Sequence, residues 1–296
     1  MLCASVIDEY DTADMRLRII LILGVAFLLT ACGPSVQAGP DTVVASFYPL
    51  AFAAKEIAPS APVENLTPPG AEPHDLELSP IDAATVREAR LVLLLGHGFQ
   101  PQLEDASGNG DNVLHLLDTA GLDLLPNGDP HVWLDPLRYA KIVERIGAAL
   151  GAENAASRLV ARLHDLDAEY RKSLANCERR EIVTSHEAFA YLAERYGLEQ
   201  VPITGLSPEA EPQPADLAHV VQLVEERGVT TIYYETLVSP RIAETVARET
   251  GANVAVLDPI EGLTPAEIAK GEDYFTRMRA NLRALEEGLG CSQPSS

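Results

Sequence analysis

The stretch Gly128-Asp129-Pro130-His131-Val132-Trp133-Leu134-Asp135-Pro136 decides how the rest of the chain is read. It holds the only tryptophan. It ends in Asp-Pro, a pair that opens a helix because proline suits the first helical turn. The segment after Pro136 reads as a long helical one without proline. One histidine is thereby presented on a stiff, proline-bracketed loop between two halves of the chain. Two more, His74 and His186, lie in comparable settings on either side. The expectation is that the three converge on one metal ion in a cleft between two lobes.

Outward from that loop, short β-rich runs alternate with helical patterns, which predicts an α/β fold with parallel sheets. In the first half the predicted strands are 43–46, 63–67, 91–95 and 113–117, with helices at 50–57 and 82–89. The second half repeats the plan, with strands at 182–185, 201–206, 231–235 and 254–257. Its helices are predicted at 187–196, 214–227, 240–249 and 274–289. Aligning the first strand of each half sets Ser46 against Ser185 and Phe47 against His186. Between the halves, 137–176 is helical and broken once at Leu150-Gly151. Its second part, from Glu153 to Ala175, would be roughly 35 Å long at 1.5 Å per residue, a strut rather than a hinge. The expected architecture is two βα lobes joined by one long linking helix, with lobes at 43–136 and 177–296.

Residues 1–14 carry Asp8, Glu9, Asp11 and Asp14 and do not resemble a targeting segment, which points to Met15 as the true start. From there a basic Met-Arg-Leu-Arg precedes an apolar run, Ile19 to Leu29. That run is shorter than the ~20 residues needed to span a bilayer, so it reads as an export signal. It closes in Leu29-Thr30-Ala31-Cys32-Gly33, which resembles the bacterial lipobox and implies lipidation of Cys32 at a membrane surface. Residues 1–32 would then be the export signal and 33–42 a tether. The formal charge of −22 disfavours nucleic acid and anionic lipid as partners. Hydrophobic residues at 47% allow a sizeable core.

His74 follows the second predicted strand within Pro68-Pro69-Gly70-Ala71-Glu72-Pro73-His74, and proline limits that loop's freedom. His131 follows the fourth strand, His186 the first strand of the second half, and Asp258 the last. All four lie at carboxyl ends of parallel strands, where open α/β sheets place their ligands. Three imidazoles and a carboxylate complete a zinc tetrahedron and favour Zn²⁺ over the more oxygen-seeking Mn²⁺. Glu235, at the end of its strand, is a candidate to orient a ligand histidine or to replace Asp258. Glu72 is a similar, weaker candidate. His97 could line the cleft rim, whereas His115, His164 and His219 fall within predicted strand or helices.

These residues also carry a resemblance. Pro69-Gly70-Ala71-Glu72-Pro73-His74-Asp75-Leu76-Glu77-Leu78-Ser79-Pro80, Pro130 to Pro136, Thr184-Ser185-His186-Glu187-Ala188-Phe189-Ala190-Tyr191-Leu192 and Leu257-Asp258-Pro259 look like segments of the zinc/manganese substrate-binding proteins of bacterial ABC importers, the ZnuA/TroA-like group. The resemblance covers about Val43 to Leu289. It implies metal binding at His74, His131, His186 and Asp258, delivery of the ion to an ABC permease, and an extracytoplasmic location. A histidine rather than glutamate at 186 points within that group toward zinc. The His-rich acidic loop of many zinc members is missing, since only His115 lies between His97 and Gly128.

Cys177 and Cys291 flank the second half. Export permits a disulfide there, and closing a loop of roughly a hundred residues would stabilise by about 4–5 kcal/mol. The expected function is that of a monomeric zinc carrier serving an ABC permease, with a metallochaperone as a further candidate partner. A manganese or mixed-metal carrier is the alternative. A zinc hydrolase using Glu187 or Glu235 as base is disfavoured by a four-ligand site and by the lack of His-Glu-x-x-His. A surface adhesin with a structural metal is the third reading.

Overall fold

Strand β3 (Leu91–Leu94) is an unbroken apolar run, Leu-Val-Leu-Leu, buried at every position. Strand β1 (Val43–Ala45) is likewise fully buried. Such runs belong to parallel strands covered on both faces. The computed structural model describes residues 41–292, and there β1 and β3 pair in parallel, Val43 opposite Leu91. β2 (Val63–Asn65) and β4 (Val113–His115) complete a first sheet in the order β2-β1-β3-β4. The expected export segment, the Met15 start, the Cys32 lipidation and most of the tether lie outside the described residues. Among the described residues no helix is long and apolar enough to cross a membrane.

The second sheet has the same parallel order, β6-β5-β7-β8, built from β5 (Glu181–Thr184), β6 (Glu199–Pro202), β7 (Thr231–Tyr234) and β8 (Asn253–Val256). The echo between the halves is visible in single hydrogen bonds. Ser46 N–H donates to Leu93 O, and Ser185 N–H donates to Tyr233 O, each just past the central strand at 2.9 Å. Phe47 and His186 are thus equivalent positions put to different uses. Phe47 packs edge-on against Trp133, with ring centres 4.8 Å apart, and His186 goes to the cleft.

The first sheet is flanked by α1 (Tyr48–Ile57), α2 (Pro80–Glu88), α3 (Pro101–Ser107) and the short α4 (Leu116–Thr119). Neither α3 nor α4 is expected from the sequence, and α4 takes the residues that would have extended β4. The turn Val132–Leu134 leads into α5 (Pro136–Leu150), whose first turn is capped as Asp-Pro predicts. The Asp135 carboxylate accepts from Leu137 N at 2.8 Å and Arg138 N at 3.3 Å. Gly151, left-handed at φ 66°, stops α5 and lets α6 (Glu153–Ser173) fold back along it. The two helices approach so closely at Gly147 that a Cβ there would clash with that of Ala156.

The 21 residues of α6 span about 32 Å. Its buried positions, Leu159, Leu163, Leu166 and Tyr170, recur at helical spacing. The second half adds α7 (Ala190–Tyr196), α8 (Pro214–Arg227), α9 (Arg241–Thr250), α10 (Pro265–Ala269) and α11 (Tyr274–Leu289). The first turn of α11 reaches back across to the first half. Phe52 stacks on Tyr274 at 5.8 Å, Tyr139 meets Tyr274 at 4.7 Å, and the Tyr274 hydroxyl donates to Trp133 O at 2.6 Å. One apolar core therefore runs through both sheets' facing layers and α6. At the far end, Cys177 and Cys291 form the expected disulfide, with 114 residues of separation.

Candidate metal centre

Each histidine is delivered by a locally over-determined loop. His131 caps the one-turn helix Val132–Leu134. The Asp129 carboxylate accepts from its backbone N–H at 2.8 Å and from its ring Nδ1 at 2.6 Å. His186 follows β5 directly. The expected helix at 187–196 begins only at Ala190, because the His186 carbonyl that would accept its first bond is taken by Thr184 Oγ1 and Gln200 Nε2. Glu187 N–H donates to Gly205 O and Phe189 N–H to the Gln200 side chain. His186 Nδ1 pairs with Glu235 Oε1 at 2.7 Å, and Ser185 Oγ donates to the same oxygen at 2.9 Å. His74 is placed by the proline-rich loop, its N–H donating to Glu72 Oε1 at 3.2 Å and its ring resting edge-on against Phe99.

The three rings meet. Their centres are 5.4 to 6.4 Å apart. Each turns its Nε2 toward one carboxylate oxygen, Glu261 Oε1, at 3.2 Å from His74, 2.9 Å from His131 and 3.9 Å from His186. His74, His131, His186 and Glu261 form a set whose donor atoms lie within 4.8 Å of one another. His131, His186 and Glu261 are fully buried, and the His74 side chain is 14% exposed. His186 Nε2 and Glu261 Oε2 have no hydrogen-bond partner. Three imidazole nitrogens and a carboxylate with such orphaned atoms are a donor set of the type that holds tetrahedral Zn²⁺.

Asp258 is not part of this set. Sequence reasoning selects it as the fourth ligand, but the structure turns its carboxylate away and brings Glu261 to the histidines. Arg277 binds Asp258 Oδ2 through Nε at 3.1 Å and Nη2 at 2.6 Å, and Thr236 Oγ1 donates to the same oxygen at 3.2 Å. Oδ1 accepts from Ile260 N at 2.7 Å. That bond closes a tight turn in which Ile260 takes φ 58°, and the turn projects Glu261 into the cleft. Burial raises the Asp258 pKa against the opposing pull of Arg277. Trp133, from the first half of the chain, is tied to the turn, its Nε1 donating to Pro259 O at 2.7 Å. Glu235, the sequence's candidate to orient a ligand histidine, pairs with His186 Nδ1. His97 lies away from the set, where its Nε2 pairs with exposed Asp118.

Protonation follows from these contacts. Burial alone would lower the His131 pKa, but the hydrogen bonds to Asp129 and Glu261 outweigh it and raise it to about 10. Burial would likewise raise Glu261, yet its bonds to His131 and His74 hold it well below the usual carboxylate range. Glu72 is pushed up to about 9 by burial and by the charge of Glu261.

Comparison with known proteins agrees with this geometry. The family model for the zinc-uptake complex component A, periplasmic (ZnuA), matches residues 43–288. The high-affinity zinc uptake system protein ZnuA of Bacillus subtilis is 35% identical over 91% of this chain and 97% of its own length. The zinc-binding lipoprotein AdcA of Streptococcus pneumoniae is 34% identical over 92% of this chain, which spans only 60% of that longer protein. The Zn(II)-bound ZnuA-like domain of AdcA superposes with a TM-score of 0.73 at 35% identity, covering 84% of this chain and 98% of the domain. The laminin-binding protein Lmb of Streptococcus agalactiae, described as having adhesin and metal-transporting activity, gives 0.76 at 32% identity. That match covers 84% of this chain and 99% of Lmb.

Proposed function

The chain belongs to the ZnuA family of periplasmic zinc-uptake components, and on that footing we propose that it captures Zn²⁺ on His74, His131, His186 and Glu261 and delivers it to an ABC permease. Families of this kind are transport components rather than enzymes. The observation that carries the reading is the convergence of three Nε2 atoms on one Glu261 oxygen in a buried cleft, two donors from each lobe.

The surrounding residues prepare the donors. Asp129 and Glu235 accept from Nδ1 of His131 and His186, which turns each Nε2 toward the ion's position. His74 has no comparable partner on Nδ1 among the described residues and is the most exposed ligand, so it is the one to swing first. The lobes do not swing widely. They share a core across α6, and Gly70 N–H bonds Leu263 O while Tyr191 OH bonds Asp129 O across the cleft. Release therefore depends on the permease drawing ligands apart. The export signal and the Leu29-Thr30-Ala31-Cys32 segment support a lipid anchor at Cys32 on the outer face of the cytoplasmic membrane or in the periplasm, with the protein acting as a monomer.

A competition titration with Zn²⁺ and Mn²⁺ against a chelator of known affinity tests the reading. Trp133 reports it by fluorescence, since its ring centre lies 5.1 Å from that of His131. One tightly bound Zn²⁺ that excess Mn²⁺ does not displace is the expected result. Competition on equal terms would make the protein a mixed-metal carrier, and no binding at one equivalent would overturn the site.

A further inference from the structure

Behind the histidines lies a second group of donors, made only of oxygen. One carboxylate oxygen from each of Glu72, Glu235 and Glu261 lies within 4.8 Å of the others. Each has spent Oε1 on a histidine: Glu72 on the His74 N–H, Glu235 on His186 Nδ1, and Glu261 on the Nε2 atoms. Each keeps Oε2 buried and without a hydrogen-bond partner. Glu235 and Glu261 are 2% and 0% exposed. Among the described residues, neither arginine nor lysine forms an ion pair with any of the three. Three buried carboxylate oxygens without a hydrogen-bond partner, in a group with no arginine or lysine paired to it, are what a bound cation would satisfy.

We propose that Glu72, Glu235 and Glu261 form a second divalent-cation position that shares Glu261 with the histidine site and holds an ion in transit between solvent and the histidines. The proposal rests on the three-histidine reading, because Glu261 would bridge the two positions as carboxylates do in two-metal centres. The donor type differs as a transit position requires. Oxygen-only sites hold hard or fully hydrated cations loosely, whereas imidazoles hold Zn²⁺ firmly. Glu72 is the most exposed of the three and stands two residues from His74, the most exposed histidine of the set. An ion taken up at Glu72 is thus passed toward the ligand with the greatest freedom to move.

Mn²⁺ is the suitable probe, because it favours oxygen donors and has an electron paramagnetic resonance signal that is lost from the free-ion spectrum on binding. The full-length protein is loaded with one equivalent of Zn²⁺ and titrated with Mn²⁺, beside the variant E72Q. The wild type is expected to bind one further equivalent of Mn²⁺ while retaining its Zn²⁺. E72Q is expected to lose that equivalent, and a circular dichroism spectrum matching the wild type shows that it is folded. Mn²⁺ that stays free in the wild type shows that a shared proton satisfies the three oxygens and overturns the proposal. Equal Mn²⁺ binding by E72Q places the ion elsewhere on this acidic surface, with the same consequence. Failure of the wild type to hold the first Zn²⁺ would refute the histidine site itself, and the bridging position with it.

Discussion

Zinc affinity should climb steeply with pH through the neutral range and well above it. The cause is His131. Asp129 holds its Nδ1 hydrogen, so in the ion-free protein the second ring proton sits on Nε2, facing Glu261. Zn²⁺ needs that nitrogen bare. With a pKa near 10, His131 at pH 7 carries a proton whose removal costs about 4 kcal/mol, three units at about 1.36 kcal/mol each. Affinity then changes about tenfold per pH unit, or about a hundredfold between pH 6.5 and 8.5. Histidines of ordinary pKa near 6.5 would instead give a plateau above about pH 7.5. The sign for the ion-free fold is opposite. A pKa raised above the unfolded value adds stability that is complete below about pH 6.5 and lost as pH rises toward 10. The assay is chelator competition at half-unit steps, with calorimetry in buffers of different ionisation enthalpy to count the proton released. D129N removes the main partner that raises His131, so it should weaken binding and flatten the slope above pH 7.5. A flat wild-type affinity from pH 7.5 to 8.5 with no proton released would refute the argument.

Two other expectations concern single groups. E261Q should lower zinc affinity by at least about tenfold, while D258A should keep one bound Zn²⁺ yet destabilise the ion-free protein. The second effect is about 1–3 kcal/mol, because it leaves the buried Ile260 N–H unpaired while Arg277 keeps Glu267; chemical denaturation and zinc titration of both variants separate the roles. Replacing both cysteines of the Cys177–Cys291 bridge with serine should reduce stability by up to about 4–5 kcal/mol, from the 114-residue separation. It should leave zinc affinity unchanged, since the bridge lies at the end of the second lobe opposite the ligands.

The elements legible in the sequence are those with two-sided signals. Helices α8 and α11 have the ends that the sequence predicts, because proline or an acidic cap opens them and glycine closes them. The buried strands are legible because their apolar runs are continuous. The start of α7 is not. Ala188 and Phe189 have helical composition, but Gln200, on the neighbouring strand, donates to the His186 carbonyl that would accept the first helical bond. Propensity is local, and that partner is contributed by tertiary structure. The pairing of Ser46 with Ser185 is legible for a related reason. An internal echo compares one part of the chain with another, so it carries non-local information.

The exchange of Asp258 for Glu261 shows where such reasoning stops. The rule that ligands lie at carboxyl ends of parallel strands selects Asp258, which does end β8 and is buried. What the rule lacks is the direction of the chain beyond the strand. Asp258 uses one oxygen to close the Ile260 turn and the other to bind Arg277, a residue on α11 that sequence separation hides. The turn's left-handed residue is an isoleucine, and a β-branched side chain gives no warning of positive φ. Glycine there would have marked the reversal and moved attention to the next acidic residue. Asp258 therefore holds the turn and Arg277, while Glu261 faces the three histidines. The same Leu-Asp-Pro segment serves the site without touching it, which is why D258A and E261Q should fail in different assays.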